Sequence, residues 1–340
     1  MTIEQIKELV KTPEYDFLRT NEHLGERIVF LTLGGSYAYG TNIETSDVDI
    51  RGCTLDSKTD ILGLTNFQQV VNTKTDTTIY GFNRLIPLLM SCNPNTIEML
   101  GCKPEHYIYQ TELGQQMVDN RKMFLSKVAA DSFGGYAKET LQRLKNALAR
   151  DRLTQAEKAE HVCESVKRAV QNYENNHIRF EEGSVRLYTD VSDRDGYERE
   201  IFADIHIDKY PARAFNTLLN EMKNVLENYK DINHRNHKKD IPHLSKHAQH
   251  LVRLYTSGID LLEKGDIFTY RGEDRDMLLE IRNGKYMNED GTIQAEFFEM
   301  IKEYEKRLEY AKNNSSLPEQ PDTKRIQEFV MDVNRKAIGM

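Results

Sequence analysis

The sequence has few of the features that mark secreted or membrane-spanning proteins. It contains four cysteines and no tryptophan, and the cysteines show neither CxxC pairing nor zinc-ligand spacing. This pattern fits a reducing cytosol better than a disulfide framework. No window approaches the ~20 uninterrupted apolar residues of a spanning helix, and Met1–Arg19 lacks the apolar run of a signal peptide. We therefore expect a cytoplasmic protein with no membrane partner.

The chain also lacks the excess of positive charge that nonspecific nucleic-acid binding requires. Its 340 residues carry a formal net charge of -8, which leaves room for one local basic groove within an acidic body. Hydrophobic residues make up 39% and charged residues 29% of the chain. This composition is that of a globular protein with one large or two ordinary domains.

The pattern of apolar residues predicts an α+β fold in two parts. Ile28–Leu33 is typical of a buried strand, Asp47–Leu55 and Gln69–Tyr80 are predicted as extended segments, and Phe82–Met90 has helical spacing. We therefore place a small α/β domain at residues 1–121.

Beyond residue 121 helix formers dominate, and strand-like stretches are confined to Val185–Asp208. We therefore predict a mainly helical second domain at residues 122–340. Its predicted helices are Tyr136–Ala149, Ala156–Tyr173, Arg213–Tyr229, Ser245–Leu262, Glu296–Lys312 and Arg325–Ala337.

The most informative segment is Leu31–Gly52, LTLGGSYAYGTNIETSDVDIRG, in which the predicted buried strand runs into Gly34-Gly35-Ser36. Glycine lets the backbone approach a ligand closely and adopt turns that a Cβ would forbid. If a helix begins near Ser36, its free N–H groups and positive dipole end suit a phosphate. The Ser36 hydroxyl would add one more donor.

An Asp-x-Asp pair follows, with ten residues between Ser36 and Asp47. In a strand, the side chains of Asp47 and Asp49 point to one face, while Val48 and Ile50 point to the core. Two such carboxylates repel each other unless a hard cation lies between them, and Mg²⁺ prefers carboxylate, water and phosphate oxygens.

Arg51 falls on the same face as the two aspartates, where it would meet a phosphate or neutralise Asp49. A lone Gly-Gly-Ser is usually only a turn, and a lone Asp-x-Asp is usually solvated surface. In this order, spacing and position after a buried strand, they together indicate a metal–nucleotide site.

These residues resemble the signature of the DNA polymerase beta nucleotidyltransferase superfamily. More narrowly, the segment looks like the RNA-ligase-associated (RlaP-like) predicted nucleotidyltransferases. Asn93–Leu100, Lys246–Leu254 and Leu278–Lys285 are similar to further segments of that family. The resemblance implies a nucleotidyltransferase domain with a mixed sheet and flanking helices, followed by the mainly helical domain.

The resemblance also implies a reaction, in which an NMP is transferred from an NTP, with ATP expected, and pyrophosphate is released. Two Mg²⁺ or Mn²⁺ ions would be held by Asp47 and Asp49 with a third carboxylate, for which Asp76 is the best candidate. Asp76 would also assist deprotonation of the acceptor. An exposed Asp in a polar hairpin is the alternative reading, and Lys74 and Asp60 keep the assignment open.

A helix over Ser245–Leu262 would gather Ala248, Leu251, Val252, Tyr255, Ile259 and Leu262 on one side. Lys246, His250 and Arg253 would form a cationic stripe opposite, with more positive charge in Asn233–Lys239. The stripe is either a solvated face or a clamp for phosphates. The irregularly spaced histidines do not favour zinc. The predicted nucleotide-binding residues are Gly34, Gly35, Ser36, Tyr39, Arg51, Lys246, His250 and Arg253.

The acceptor stays open at this point. The narrower family implies an RNA end and a role in RNA repair or modification, although no RRM- or KH-type signature is present. A protein side chain or a small molecule would use the same metal site. A catalytically silent nucleotide-binding regulator is the rival from another class, although both Asp47 and Asp49 are present. The oligomeric state cannot be read from the sequence.

Overall fold

The structure is a computed structural model that describes residues 1–150, 155–176, 184–193, 198–235 and 241–339. By internal contacts the chain divides into two compact units. Unit 1 joins Met1–Gln142 to Ser245–Met340, and unit 2 is Arg143–Leu244. The domain boundary that the sequence predicts after residue 121 stays a prediction.

A five-stranded mixed sheet forms the centre of unit 1, in the order β3-β4-β2-β1-β5. β2 and β4 run parallel, and the other neighbouring pairs are antiparallel. The sheet and its flanking helices confirm the predicted α+β class. The strands are β1 Ile28–Leu33, β2 Ile50–Thr54, β3 Gln69–Asn72, β4 Thr77–Gly81 and β5 Tyr107–Gln110.

Short helices connect these strands, and longer ones follow them. The helices that begin in the first part of unit 1 are α1 Ile3–Leu9, α2 Phe17–Thr20, α3 Gly35–Tyr39, α4 Lys58–Leu62, α5 Phe82–Met90, α6 Pro94–Ile97, α7 Glu112–Asp119 and α8 Val128–Arg150. Single-turn 3₁₀ helices lie at Pro13–Tyr15, Gly25–Arg27, Glu98–Gly101, Pro104–His106 and Arg121–Phe124.

Unit 2 has its own hydrophobic core between helices and a two-stranded sheet. Cys163, Val166, Leu187 and Leu218 pack together there and are buried. The elements are α9 Gln155–Asn176, β6 Val185–Val191, β7 Arg199–Ile205 and α10 Ala212–Arg235. The remaining helices of the chain are α11 Ile241–Lys264, α12 Arg275–Arg282, α13 Ala295–Asn314 and α14 Thr323–Ala337.

The core of unit 1 follows the predicted pattern of burial. Every side chain of β1 is buried, and Ile50 and Ile79 from the paired strands β2 and β4 are fully enclosed. The predicted apolar side of α11 is confirmed, because all six of its residues, Ala248, Leu251, Val252, Tyr255, Ile259 and Leu262, are buried.

One expectation about a strand was wrong, and one strand was not predicted. The strand predicted over Asp47–Leu55 begins only at Ile50, so Asp47 and Asp49 precede β2 instead of lying within it. β5 was not predicted, because it is only four residues long and lies at the edge of the sheet. In the part of the chain that the structure describes, no helix has both the length and the apolar character needed to cross a membrane.

Candidate metal and nucleotide site

The Gly-Gly-Ser segment is the connection between β1 and α3. The Gly34 N–H donates to the Asp49 carbonyl at 2.8 Å, which continues the β1–β2 pairing by one residue. Gly35 has a φ of 52°, a left-handed conformation that glycine adopts without strain. The helix predicted near Ser36 is confirmed, with α3 spanning only Gly35–Tyr39.

Gly35 lies directly against the Asp49 carboxylate. A Cβ atom built on Gly35 would be 1.8 Å from Asp49 Oδ2, and one built on Gly34 would be 3.0 Å from Arg51 Cγ. A side chain at position 35 would therefore displace the carboxylate. The two glycines bring the Asp-x-Asp segment and the turn after β1 into contact, as the motif predicted.

Asp76 joins Asp49 because β2 and β4 are parallel neighbours. Ile50 pairs with Thr77, and the Ile50 N–H donates to the Asp76 carbonyl at 3.1 Å. The carboxyl groups of Asp49 and Asp76 share a hydrogen bond. The Arg51 guanidinium lies 3.4 Å from Asp49 Oδ1 and 3.1 Å from Asp76 Oδ1, so one cation serves two carboxylates.

Because these charged groups lie so close together, the pKa values of Asp49 and Asp76 shift in opposite directions. Burial, together with the hydrogen bond and negative charge of Asp76, raises the pKa of Asp49 to about 7. The hydrogen bond from Asp49 lowers the pKa of Asp76, with help from the Arg51 charge. Near neutral pH the pair therefore shares a proton that a divalent cation would displace.

The pair suits a hard divalent cation, since its donors are carboxylate oxygens, and a cation that displaces the shared proton would meet two carboxylates beside the single positive charge of Arg51. Asp47 is exposed and precedes β2. Within the described ranges, no three His, Cys, Asp or Glu side chains are grouped so as to hold a metal ion. Asp49 and Asp76 are thus brought together, and Asp47 is two residues upstream on the approach to β2.

The predicted cationic stripe on α11 divides into an exposed and a buried part. Lys246 is exposed, and its positive charge favours the ionised form of both carboxyl groups, so it opposes the rise in the pKa of Asp49 and adds to the fall in the pKa of Asp76. His250 Nδ1 lies 3.1 Å from Arg253 Nη2. The further basic segment Asn233–Lys239 lies outside the described residues from Asn236 onward.

Arg253 takes part in a buried network of side chains. Its guanidinium is therefore not exposed to bind phosphates, as the predicted clamp would require. It is 3% exposed, forms an ion pair with Glu98 and stacks on Tyr39 at 3.8 Å from the ring centroid. The Tyr39 hydroxyl donates to the other Glu98 oxygen at 2.6 Å. Burial alone would lower the pKa of Arg253, but Glu98 and Tyr39 raise it.

Glu98 is the residue of this network that sequence reasoning did not single out. Its segment, Asn93–Leu100, was noted only for a resemblance, and the predicted helix start at Asn93 is confirmed by its side-chain cap. The carboxylate is 5% exposed, and a buried carboxylate needs a charged or hydrogen-bonded partner. Only the fold brings Glu98 to Arg253, 155 residues away along the chain.

A comparison with protein families finds one match, which covers the first half of the chain and this site. Residues 9–167 match the RNA repair pathway DNA polymerase beta family (RlaP), so this part of the chain is similar to polymerase beta-type nucleotidyltransferases. No curated protein and no solved structure matched in the other two comparisons. The predicted recognition is confirmed, and the narrower features of the reaction are proposed below.

Proposed function

We propose that this protein transfers an NMP from an NTP, with ATP the expected donor, to a hydroxyl group at an RNA end. The observation that carries the proposal is the Asp49–Asp76 pair, pressed against the Gly35 backbone at the end of β1. Two carboxylates at the starts of neighbouring strands are one half of a metal–triphosphate site, and a glycine turn whose Gly35 and Ser36 N–H groups have no acceptor among the described residues is the other.

Each residue of the candidate site has a role in the proposed reaction. Gly34-Gly35-Ser36 would position the β- and γ-phosphates, and Arg51 would keep the two carboxylates together. Asp49 and Asp76, with Asp47 turned inward, would hold two Mg²⁺ or Mn²⁺ ions, which neutralise triphosphate charge and lower the pKa of the acceptor hydroxyl. Asp76, the more exposed carboxylate of the pair, would receive the acceptor's proton. The acceptor oxygen then bonds to the α-phosphorus, and pyrophosphate leaves.

Positioning and charge neutralisation carry most of the rate in phosphoryl transfer. The family supports RNA as the acceptor, because its description places it in an RNA repair pathway. The exposed Lys246, whose charge reaches the carboxylates, is suited to the phosphate of an incoming end or of the nucleotide.

The test is incubation of the purified protein with each α-³²P-labelled NTP, Mg²⁺ or Mn²⁺, and RNAs with defined 5′ and 3′ ends. Parallel reactions contain pooled protein or small-molecule acceptors. We expect label on RNA, with release of one pyrophosphate per transfer. Label on protein or on a small molecule would reassign the acceptor. Nucleotide binding with no transfer to any acceptor would overturn the proposed reaction.

A further inference from the structure

One face of the central sheet is open to solvent over β3 and β4, next to Asp76. The opposite face belongs to the core, where Val70 packs against the cluster that contains Ile79. Side chains alternate between the two faces along a strand, so the residues between these two lie on the open face. Gln69 and Val71 are exposed there, and Thr78 and Tyr80 are half-buried. The open face thus consists of two cross-strand pairs, Val71 with Thr78 and Gln69 with Tyr80.

The open face is continuous with the carboxylate pair. Thr78 pairs with Arg51 in the parallel register of β2 and β4, and the Arg51 guanidinium contacts Asp76. Tyr80 follows Asp76 by four residues, which is about 13 Å along a strand. Burial raises the pKa of Tyr80, and the charge of Arg51 opposes this rise, so the arginine is within electrostatic reach of the tyrosine. A chain-like acceptor that reaches Asp76 along β4 would therefore lie over Thr78 and Tyr80.

Tyr136 from α8 adds a second aromatic ring close to Tyr80, whose pKa it helps burial to raise. The Tyr136 hydroxyl accepts a hydrogen bond from Asn93 Nδ2 at 2.8 Å. The orientation of this amide is fixed, because Asn93 Oδ1 accepts the Asn95 N–H at 3.0 Å. The Tyr136 hydroxyl therefore has its own hydrogen left to donate. Among the described residues neither tyrosine hydroxyl has an acceptor, so both can donate to a ligand.

The charge beside the open face suits a polyanion. Arg84, near the start of α5, is exposed, and its charge also acts on the Tyr80 hydroxyl. In the part of the chain that the structure describes, no carboxylate lies within ion-pair distance of Arg84. Lys246 adds positive charge near Asp76. Aromatic rings accompanied by cations are the combination that holds single-stranded nucleic acid, since bases stack on the rings and phosphates meet the charges.

We propose that the open face, together with Tyr136 and Arg84, binds the single-stranded end of the RNA acceptor. The reactive hydroxyl would lie at Asp76, a base near the end would stack on Tyr80, and Arg84 would meet a backbone phosphate. This inference rests on the proposed function for the identity of the acceptor. It adds the means of recognition, because stacking accepts every base and requires that the base be unpaired. The site would therefore select a free end and not a sequence.

The test compares Y80L with the matched variant Y109L by titrating the full chain against a fluorescent single-stranded RNA, with no NTP or metal ion, and measuring anisotropy. Both tyrosines belong to the same sheet, but Tyr109 lies on β5 at the opposite edge and is 47% exposed. We expect Y80L to bind RNA about 5- to 150-fold more weakly, the value of one base stacked on an aromatic ring. Y109L, and Y80F, which keeps the ring, should stay within about threefold of the unchanged protein.

A second measurement uses the unchanged protein, so that it does not depend on the folding of a variant. RNAs that carry 4-thiouridine near either end are photocrosslinked to the full chain, which is then digested with trypsin. We expect crosslinks in the peptides Thr75–Arg84 and Val128–Lys138, which contain Tyr80 and Tyr136. A blunt RNA duplex should compete poorly for this crosslink, because its bases are paired and stacked on each other.

Equal RNA affinities of Y80L and Y109L, crosslinks only outside these two peptides, or no RNA binding by the unchanged protein would overturn the inference. Neither measurement requires transfer. A protein that binds RNA through Tyr80 but transfers no label would contradict the proposed reaction alone. Label on RNA, with undiminished RNA binding by Y80L, would contradict this inference alone.

Discussion

Two charged clusters lie beside α3, and they differ in how their carboxylates are neutralised and how far they are exposed. Around Asp49 and Asp76, two carboxylates share Arg51, and Asp76 is 58% exposed on its side chain. Around Glu98, one carboxylate is matched by Arg253 and Tyr39, and the ion pair is almost completely buried. In the first cluster a shared proton and Arg51 neutralise two carboxylates, and a metal ion would displace that proton, whereas the second cluster is neutral and closed. The difference indicates which cluster performs chemistry and which holds the fold.

The largest effect on activity is expected from removal of one carboxylate of the proposed metal site. D49N, and likewise D47N, should reduce transfer by at least about a thousandfold, because a metal ligand and its charge are lost. Both variants should fold normally. D276N is the control, since the Asp276 side chain is 95% exposed. Near-normal turnover by purified D49N would show that the first cluster is not the reaction centre, and near-normal turnover by D47N would show that Asp47 is not a metal ligand.

The opposite outcome is expected for the closed cluster. R253M leaves Glu98 buried without a counterion and should lower the free energy of unfolding by about 3–5 kcal/mol. The double variant E98L/R253M should recover much of that loss, because both charges are gone. Urea unfolding measures both values, with K302M as a surface control, since the Lys302–Glu299 pair is exposed. Full stability of R253M combined with weak NTP binding would restore Arg253 as a clamp for phosphates.

These two clusters show how much of the site the sequence could provide. The order and spacing of the Gly-Gly-Ser and Asp-x-Asp segments were sufficient to predict that the segments meet, which the structure shows for Gly35 and Asp49, and β1 was predicted residue for residue. The stripe on α11 was predicted as one surface. Its division into exposed Lys246 and buried Arg253 depends on Glu98, which is distant in sequence. Periodicity defines the face of a helix but not what packs against it.

The pairing of Asp49 with Asp76 also could not be predicted from the sequence. Asp76 was one of several candidate residues, because a strand pattern does not specify the partner strand or its register. The parallel register of β2 and β4 selects Asp76 among these candidates, because it places Asp76 beside Asp49.

A smaller and more local effect is expected at the glycine turn. G35A should reduce transfer by about a hundredfold, because the added Cβ displaces Asp49, and should cost about 1–2 kcal/mol of stability at its left-handed φ. G135A is the matched control in α8, where a Cβ meets nothing within 4 Å. It should keep full activity and gain up to about 1 kcal/mol. Equal activity of the two variants would argue against the close approach of Gly35 and Asp49.

The smallest effect is a pH dependence of stability in the absence of metal. The pKa of Asp49 is about 7 in the folded chain and about 4 when unfolded. The unfolded chain therefore releases this proton first, and the contribution of Asp49 to stability falls as pH rises from about 4 to about 7. D49N should lack this loss.

Between pH 5 and pH 8 in EDTA, the unchanged protein should lose about 2 kcal/mol relative to D49N, which is a discounted value for a group that is partly solvated and shares its proton. Thermal or urea unfolding of both proteins at each pH gives the difference. The lowered pKa of Asp76 acts only at lower pH, where that carboxylate becomes protonated. Parallel pH profiles of the two proteins would mean that Asp49 and Asp76 do not share a proton.

The contrast between the clusters is tested most directly by Mn²⁺ titration, followed by electron paramagnetic resonance, in the presence of a non-hydrolysable NTP analogue. The unchanged protein and E98Q should bind Mn²⁺ alike, and D49N should lose most of that binding. Equal Mn²⁺ binding by D49N and the unchanged protein, or its loss in E98Q alone, would contradict the assignment of the metal–nucleotide site to Asp49 and Asp76.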